Sequence, residues 1–193
     1  MNKPLGIGVA GGSASGKTTF CKNLEDKLSG QYRVNRIQLD TYFHKPLPKL
    51  ISPLTQETAD DWNHPDSIDY KKPIELIKSL QAENLCDIII AEGVHLFCYD
   101  EMRPLFDLKI FIELDAETRM HRRVKRNTNN FASSDGFYGT DFQFGYYLNF
   151  ARFREEKYIL PTKVYADILL NGNKLDGVAF DILLAWIKEK RTN

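Results

Sequence analysis

Apolar and polar positions along this 193-residue chain fall into two kinds of run, whose order predicts an α/β fold. The first kind is short and continuous: residues 5–10 (LGIGVA), 33–39 (RVNRIQL), 86–91 (CDIIIA), 108–114 (LKIFIEL) and 165–170 (YADILL). Residues 86–91 are the most strand-like, β-branched and unbroken, as expected of a central strand covered on both faces. The second kind recurs with helical spacing. Phe20, Leu24 and Leu28 mark one helix, and Ile74, Ile77 and Leu80 a second, opened by Pro73 and running to about Ala82. A third begins at Asp115-Ala116-Glu117-Thr118, its acidic residues suited to a helix start. A fourth, from about Asp141 to Leu160, carries Phe144, Tyr147, Leu148, Phe150, Ala151 and Phe153 before Pro161 stops it. The last spans 177–190 with Val178, Ile182, Leu183 and Ile187 inward.

Two stretches break the pattern. Residues 44–69 are read as a long irregular loop with Pro46, Pro48, Pro53 and Pro65, and loops of that length in compact domains are usually functional or mobile. Residues 127–140 are polar, with Phe131, Phe137 and Tyr138, and read as a flexible lid. Alternating strands and helices predict a five-stranded parallel sheet with helices on both faces, right-handed crossovers and a helical lid. The expected organisation is a single domain over 1–193.

Charge narrows the function classes. Twenty-six basic residues balance 26 acidic ones, which argues against a dedicated nucleic-acid or anionic-membrane binder. The three cysteines, Cys21, Cys86 and Cys98, form no C-x-x-C pair and fit reduced, mostly buried thiols. The apolar run near the N-terminus is too short for a signal h-region or a membrane span, so a cytoplasmic protein is expected. A homo-oligomer is left open.

The chemistry concentrates at Gly11-Gly12-Ser13-Ala14-Ser15-Gly16-Lys17-Thr18, which fits G-x-x-x-x-G-K-[ST] at every fixed position. It lies between the first strand and the first helix, as a triphosphate cradle requires. Glycines permit a tight turn that aims N–H groups at phosphate, Lys17 reaches the β/γ-phosphates, and Thr18 joins a Mg²⁺ shell. With Thr19, which opens the helix after the loop, residues 11–18 make up the expected nucleotide-binding set. Asp40-Thr41-Tyr42-Phe43 comes after the second strand and Glu92-Gly93 after the third, where open α/β sheets place working residues. Glu92 suits a role in holding Mg²⁺, directly or through water. Asp61-Trp62-Asn63-His64-Pro65-Asp66 forms a polar-aromatic cluster suited to a small ligand, and His64 reads as a local hydrogen-bonding residue. Arg119, Arg122, Arg123 and Arg126 fall at helical spacing, a stripe read as a phosphate clamp. Asn173-Lys174-Leu175-Asp176 matches the N-K-x-D with which guanine-specific switch proteins read their base. The D-x-x-G such switches also need is absent, so this segment is read as a loop in which Asp176 caps the last helix.

Together with Pro161-Thr162-Lys163-Val164-Tyr165-Ala166-Asp167, these residues resemble the uridine kinase and phosphoribulokinase group of P-loop kinases, in order over about residues 5 to 171. The resemblance implies a P-loop NTPase fold and ATP- and Mg²⁺-dependent phosphorylation of a small metabolite, most readily the 5′-hydroxyl of a nucleoside. It implies Asp40 as general base, with Thr18, Glu92 and Asp40 around the metal and Lys17, Arg123 and Arg126 on the transferring phosphoryl group. Tyr42, Phe43, Trp62, Asn63, Glu92 and Arg123 would form the acceptor side, with Trp62 packing on the base. Three departures concern the acceptor. Asn63 stands where uridine kinases carry an acidic residue that holds the ribose diol. The interval from Asp69 to Glu92 is 23 residues, too short for both a helix and those enzymes' base-contacting hairpin. The Arg-Gly-Arg lid motif is missing, and Ser134-Asp135-Gly136-Phe137-Tyr138 and residues 147–154 are instead similar to the lid region of nicotinamide riboside kinases. Nicotinamide riboside, pantothenate and sugar phosphates therefore stay open as acceptors. The rival class is a nucleotide-dependent switch with no small-molecule acceptor.

Overall fold

The structure, a computed structural model, describes residues 3–131 and 140–192. Five parallel strands form the central sheet: β1 (Leu5–Gly11), β2 (Val34–Gln38), β5 (Ile88–Glu92), β6 (Leu108–Glu113) and β7 (Ile168–Asn171). Their spatial order is β2-β5-β1-β6-β7, so β1 lies at the centre with β5 and β6 as its neighbours. Both β1 and β5 are buried along their whole length, which explains their unbroken apolar sequences. Helix α1 (Lys17–Leu28) packs Phe20, Leu24 and Leu28 on one sheet face with Ile7, Ile90 and Ile110. Helix α2 (Lys71–Glu83) covers the other face with Ile74, Ile77 and Leu80, against Ile89, Phe97 and Phe111. Helices on both faces bury the parallel sheet as its connectivity demands.

Several expected boundaries move. The 44–69 stretch is not irregular throughout: β3 (Lys49–Ile51) and β4 (Thr58–Asp60) pair antiparallel within it. Helix α2 starts two residues before Pro73, which the helix tolerates because a first-turn N–H needs no intrahelical partner. Residues Leu160–Tyr165 form 3₁₀ turns, and the last strand therefore begins only at Ile168. In α6 (Val178–Thr192) the inward face is Phe180, Leu183 and Ile187, whereas Val178 and Ile182 are exposed. A spacing of i, i+3, i+7 selects the first set over the second.

Helix α3 (Ala116–Phe131) extends through 127–131, where the sequence pattern places the start of the lid; residues 132–139 of that segment lie outside the described residues. Beyond them, α4 (Thr140–Tyr146) leads into a π-helical segment (Tyr147–Ala151), then α5 (Arg152–Arg154), then a second π-helical segment (Glu155–Ile159). Each π segment shifts the angular phase of the helical residues beyond it. Phe144, in α4, and Leu148 face solvent, while Tyr146, Phe150 and Ala151 are buried. Among the described residues no helix is long and apolar enough to cross a membrane. Cys21 and Cys86 are buried and Cys98 half-buried, all three as free thiols.

Candidate active site

Because the five strands are parallel, their carboxyl ends share one edge of the sheet, and the loops there line a cavity of about 700 Å³. The central loop connects β1 to α1. Gly16 holds φ +104° at the start of α1, a conformation natural to glycine, and a Cβ there would come within 2.6 Å of Leu175. No side chain caps α1 and its first turn is free of acidic residues, so its N–H groups and positive dipole end are available to an anion. Lys17 is buried and donates to the carbonyls of Gly11 (3.0 Å) and Gly12 (2.9 Å). Burial lowers its pKa, against the opposing pull of Glu92 and Asp40.

Two carboxylates face this lysine from neighbouring strands. Glu92 ends β5, is 5% exposed, and lines the cavity with Thr18. Burial raises its pKa in spite of Lys17. Asp40 sits in the 3₁₀ turn after β2 (Leu39–Tyr42), exposed on the same cavity. No cluster of three metal-ligating side chains exists among the described residues. Thr18 and Glu92 with Asp40 beside them nonetheless fit Mg²⁺, which keeps several waters and takes few protein ligands beside phosphate oxygens.

The raised Glu92 pKa has a definite sign. A carboxyl whose folded pKa exceeds its unfolded value disfavours the folded state once ionised. Glu92→Gln should therefore raise thermal stability at pH 7 while abolishing the Mg²⁺-dependent component of nucleotide binding. Melting curves with and without MgADP read both effects.

The arginine stripe divides. Arg122 and Arg126 line the cavity, where Arg122 donates to the Gly172 carbonyl (3.0 Å) and Asn173 Oδ1 (3.1 Å). Arg119 and Arg123 turn toward the π-helical segments. Arg119 is 4% exposed and ion-paired at 2.7 Å with Glu155, itself 1% exposed. Glu155 also accepts the Ser13 N–H at 3.0 Å, so this pair supports the phosphate loop from outside. Arg123 lies 5.5 Å from the Tyr146 ring centre, and burial lowers its pKa. Of the two arginines assigned to the transferring phosphoryl group, the structure brings Arg126 to the cavity and leaves Arg123 against Tyr146.

The acceptor-side residues gather next to Asp40. Phe43 packs edge-to-face on the half-exposed Trp62, ring centres 5.0 Å apart, and Tyr42 packs on the core beneath. Asn63 is buried, and its Nδ2 approaches Tyr146 Oη at 3.4 Å. Asp61, 1% exposed, accepts from the Asn63 N–H and is ion-paired with Arg154 at 2.8 Å. Tyr146 Oη donates to the Asp60 carbonyl, and His64 Nε2 lies 3.2 Å from Tyr158 Oη. The 60–64 segment is thus pinned to the helical run 140–159.

Sequence reasoning missed Asp61, Tyr146, Arg154, Arg119 and Glu155 as anchors, and it missed His95. This imidazole is fully buried beside Phe43, and neither ring nitrogen makes a hydrogen bond of normal geometry among the described residues, although the Asn63 backbone approaches. Burial pushes its pKa down to about 4. The unfolded chain takes up a proton near pH 6.5 that the fold refuses, so stability falls as pH drops from about 6.5 toward 4. His95→Leu should remove about 2 kcal/mol of the stability difference between pH 7 and pH 5, read by urea unfolding at both.

The fold and the sequence both have known relatives. Two solved structures share the fold: shikimate kinase from Bacteroides thetaiotaomicron, with TM-score 0.53 and 16% identity over 98% of this chain and 99% of that one, and D-glycerate 3-kinase from Cryptococcus neoformans, with TM-score 0.54 and 15% identity over 82% and 80%. Among curated sequences, Uridine-cytidine kinase B of Dictyostelium discoideum is 31% identical over 97% of this chain and 82% of its own length. Uridine kinase of Chlamydia pneumoniae is 30% identical over 97% and 90%. Uridine kinase-like protein 4 of Arabidopsis thaliana is 32% identical over 98% of this chain, which spans only 43% of that relative. The profile of the Phosphoribulokinase / Uridine kinase family matches residues 75–175, from α2 through Glu92 and the arginine helix to the loop after β7. With a phosphate loop, two strand-end carboxylates and these relatives in agreement, the chain belongs to the Phosphoribulokinase / Uridine kinase family.

Proposed function

We propose that the chain is a kinase that transfers the γ-phosphoryl group of a nucleoside triphosphate, ATP by the sequence resemblance, to a hydroxyl of a small metabolite. Its first acceptor is the 5′-hydroxyl of uridine or cytidine. The observation that carries this reading is Asp40, an exposed carboxylate on the same cavity as Lys17 and Glu92 but one strand beyond Glu92 and two beyond Lys17. A binding switch has no use for a proton acceptor in that place. Lys17 and the loop N–H groups hold the β- and γ-phosphates, and Asp40 takes the proton of the attacking hydroxyl. Thr18 and Glu92 would hold Mg²⁺, which supplies charge neutralisation on the phosphate oxygens. Arg126 approaches from α3. Trp62 and Phe43 offer aromatic surface to the acceptor. The soluble, cytoplasmic setting expected from the sequence belongs to the same reading.

Nicotinamide riboside stands as a second acceptor on the sequence similarity of residues 134–138 and 147–154 to the lid region of nicotinamide riboside kinases. Nucleoside diphosphate release, measured with no acceptor and then with uridine, cytidine and nicotinamide riboside, tests the function. Stimulation by at least one of them is expected; equal release in all four reactions contradicts the kinase reading and leaves a switch.

A further inference from the structure

The N-K-x-D segment does not behave as a capping loop. Helix α6 begins at Val178, and the Gly177 carbonyl accepts its first bond, from the Asp181 N–H, so Gly177 holds the cap position. Asn173, Leu175 and Asp176 instead line the same cavity as Lys17 and Thr18. Leu175 packs on Gly16 of the phosphate loop, and Asn173 is fixed by Arg122. The Asp176 side chain makes no hydrogen bond or ion pair among the described residues, and it is exposed on the cavity.

Sheet order sets this end of the cavity opposite Asp40. Asp40 comes after β2 at one edge, the phosphate loop after β1 at the centre, and residues 173–176 after β7 at the other edge. Phosphates held at β1 with their γ-end toward Asp40 leave the nucleoside end pointing to β7. Two inter-strand steps separate β1 from β7, roughly 10 Å, a span that the α-phosphate and ribose can bridge. The base then lies beside residues 173–176.

We propose that Asp176 reads the donor base and makes the site selective for a guanine nucleotide over an adenine nucleotide. This rests on the phosphate-loop assignment under the proposed function and replaces ATP by GTP as preferred donor. Guanine presents two adjacent donors on one edge, N1–H and the 2-amino group, which match the two oxygens of a carboxylate. Adenine presents a lone pair at N1 and only C–H at C2, so the same carboxylate repels it and stays unpaired. The switch-protein motif uses the same complementarity. This chain has the base reader at the matching strand end without the γ-phosphate sensor, which suits an enzyme that consumes its nucleotide.

Calorimetric titration with MgGDP, MgADP and MgXDP, without acceptor, separates this proposal from the kinase assignment. The unmodified protein should bind GDP roughly 10- to 100-fold more tightly than ADP. Asp176→Asn should erase that preference by weakening GDP binding while ADP binds as tightly or more tightly, and favour XDP, whose C2 carbonyl accepts from an amide. Equal affinity for GDP and ADP, or tighter ADP binding, overturns the proposal. So does equal weakening of both by Asp176→Asn, which would assign the carboxylate to the ribose. GDP-selective binding without acceptor-stimulated turnover supports the base reading and contradicts the kinase. Binding of no diphosphate overturns both.

Discussion

Replacing Asp40 by Asn should lower kcat by roughly 10²-fold or more while leaving nucleotide affinity within about a factor of two, the usual scale for loss of a general base. The substitution keeps size and hydrogen-bonding reach but removes the proton acceptor. Asp40 is exposed in the turn after β2, so its loss leaves no buried group unpaired and the fold should melt as before. Its nearest structural obligation is electrostatic, through Lys17, which also feels Glu92 and Glu155. Steady-state turnover together with a nucleotide titration checks the prediction. A loss of affinity equal to the loss of turnover would instead make Asp40 a phosphate- or metal-positioning residue.

Glu155→Ala should destabilise the protein by about 3–5 kcal/mol, because it strands a buried guanidinium. Arg119 is 4% exposed, and without Glu155 its acceptors among the described residues include the Leu114 carbonyl, at 3.1 Å, and a marginal 3.5 Å contact with the Ser13 carbonyl. The lower half of the range is expected, since these two carbonyls still solvate part of the charge. The Ser13 N–H loses its acceptor in the same step, so nucleotide binding should weaken as the phosphate loop loosens. Glu155→Gln keeps an acceptor for Ser13 and should retain more affinity than stability. Replacing both partners, Arg119→Met with Glu155→Leu, should cost less than the two single changes together, since no charge is then left unpaired. Denaturant midpoints for the unmodified protein, the two single variants and the double variant close the cycle. Additive losses would mean that the buried contact carries no coupling.

The elements that proved legible in the sequence are those specified over short distances. The β1–loop–α1 unit derives from glycine spacing and local apolar periodicity, and Ile88–Glu92 from an unbroken β-branched run. Asp40 and Glu92 could be placed because parallel strands deliver their carboxyl ends to one edge. The features that escaped depend on partners far away in sequence. Lys49–Ile51 and Thr58–Asp60 are too short to show alternation, and they are strands only because they pair with each other. Arg119 and Glu155 lie 36 residues apart, and nothing local distinguishes Arg119 from Arg122. The π-helical segments interrupt the regular 3.6-residue period within 147–159, so one helical wheel cannot assign the faces of that whole run. A clue to Glu155 did exist: it is an acidic residue at a position where its helix is otherwise apolar. For Asp176, the motif and its place after the last strand were visible, but the position of that strand at the sheet edge opposite Asp40 was not.

The central claim is that one cavity joins a triphosphate held by Lys17 to a hydroxyl facing Asp40. The most direct test incubates the protein with γ-³²P-labelled GTP or ATP, Mg²⁺ and uridine, cytidine or nicotinamide riboside, then identifies the labelled product. Label in the 5′-monophosphate of one acceptor, lost with Asp40→Asn, is the predicted result. Label recovered only as inorganic phosphate, at the same rate with and without every acceptor, would contradict the account.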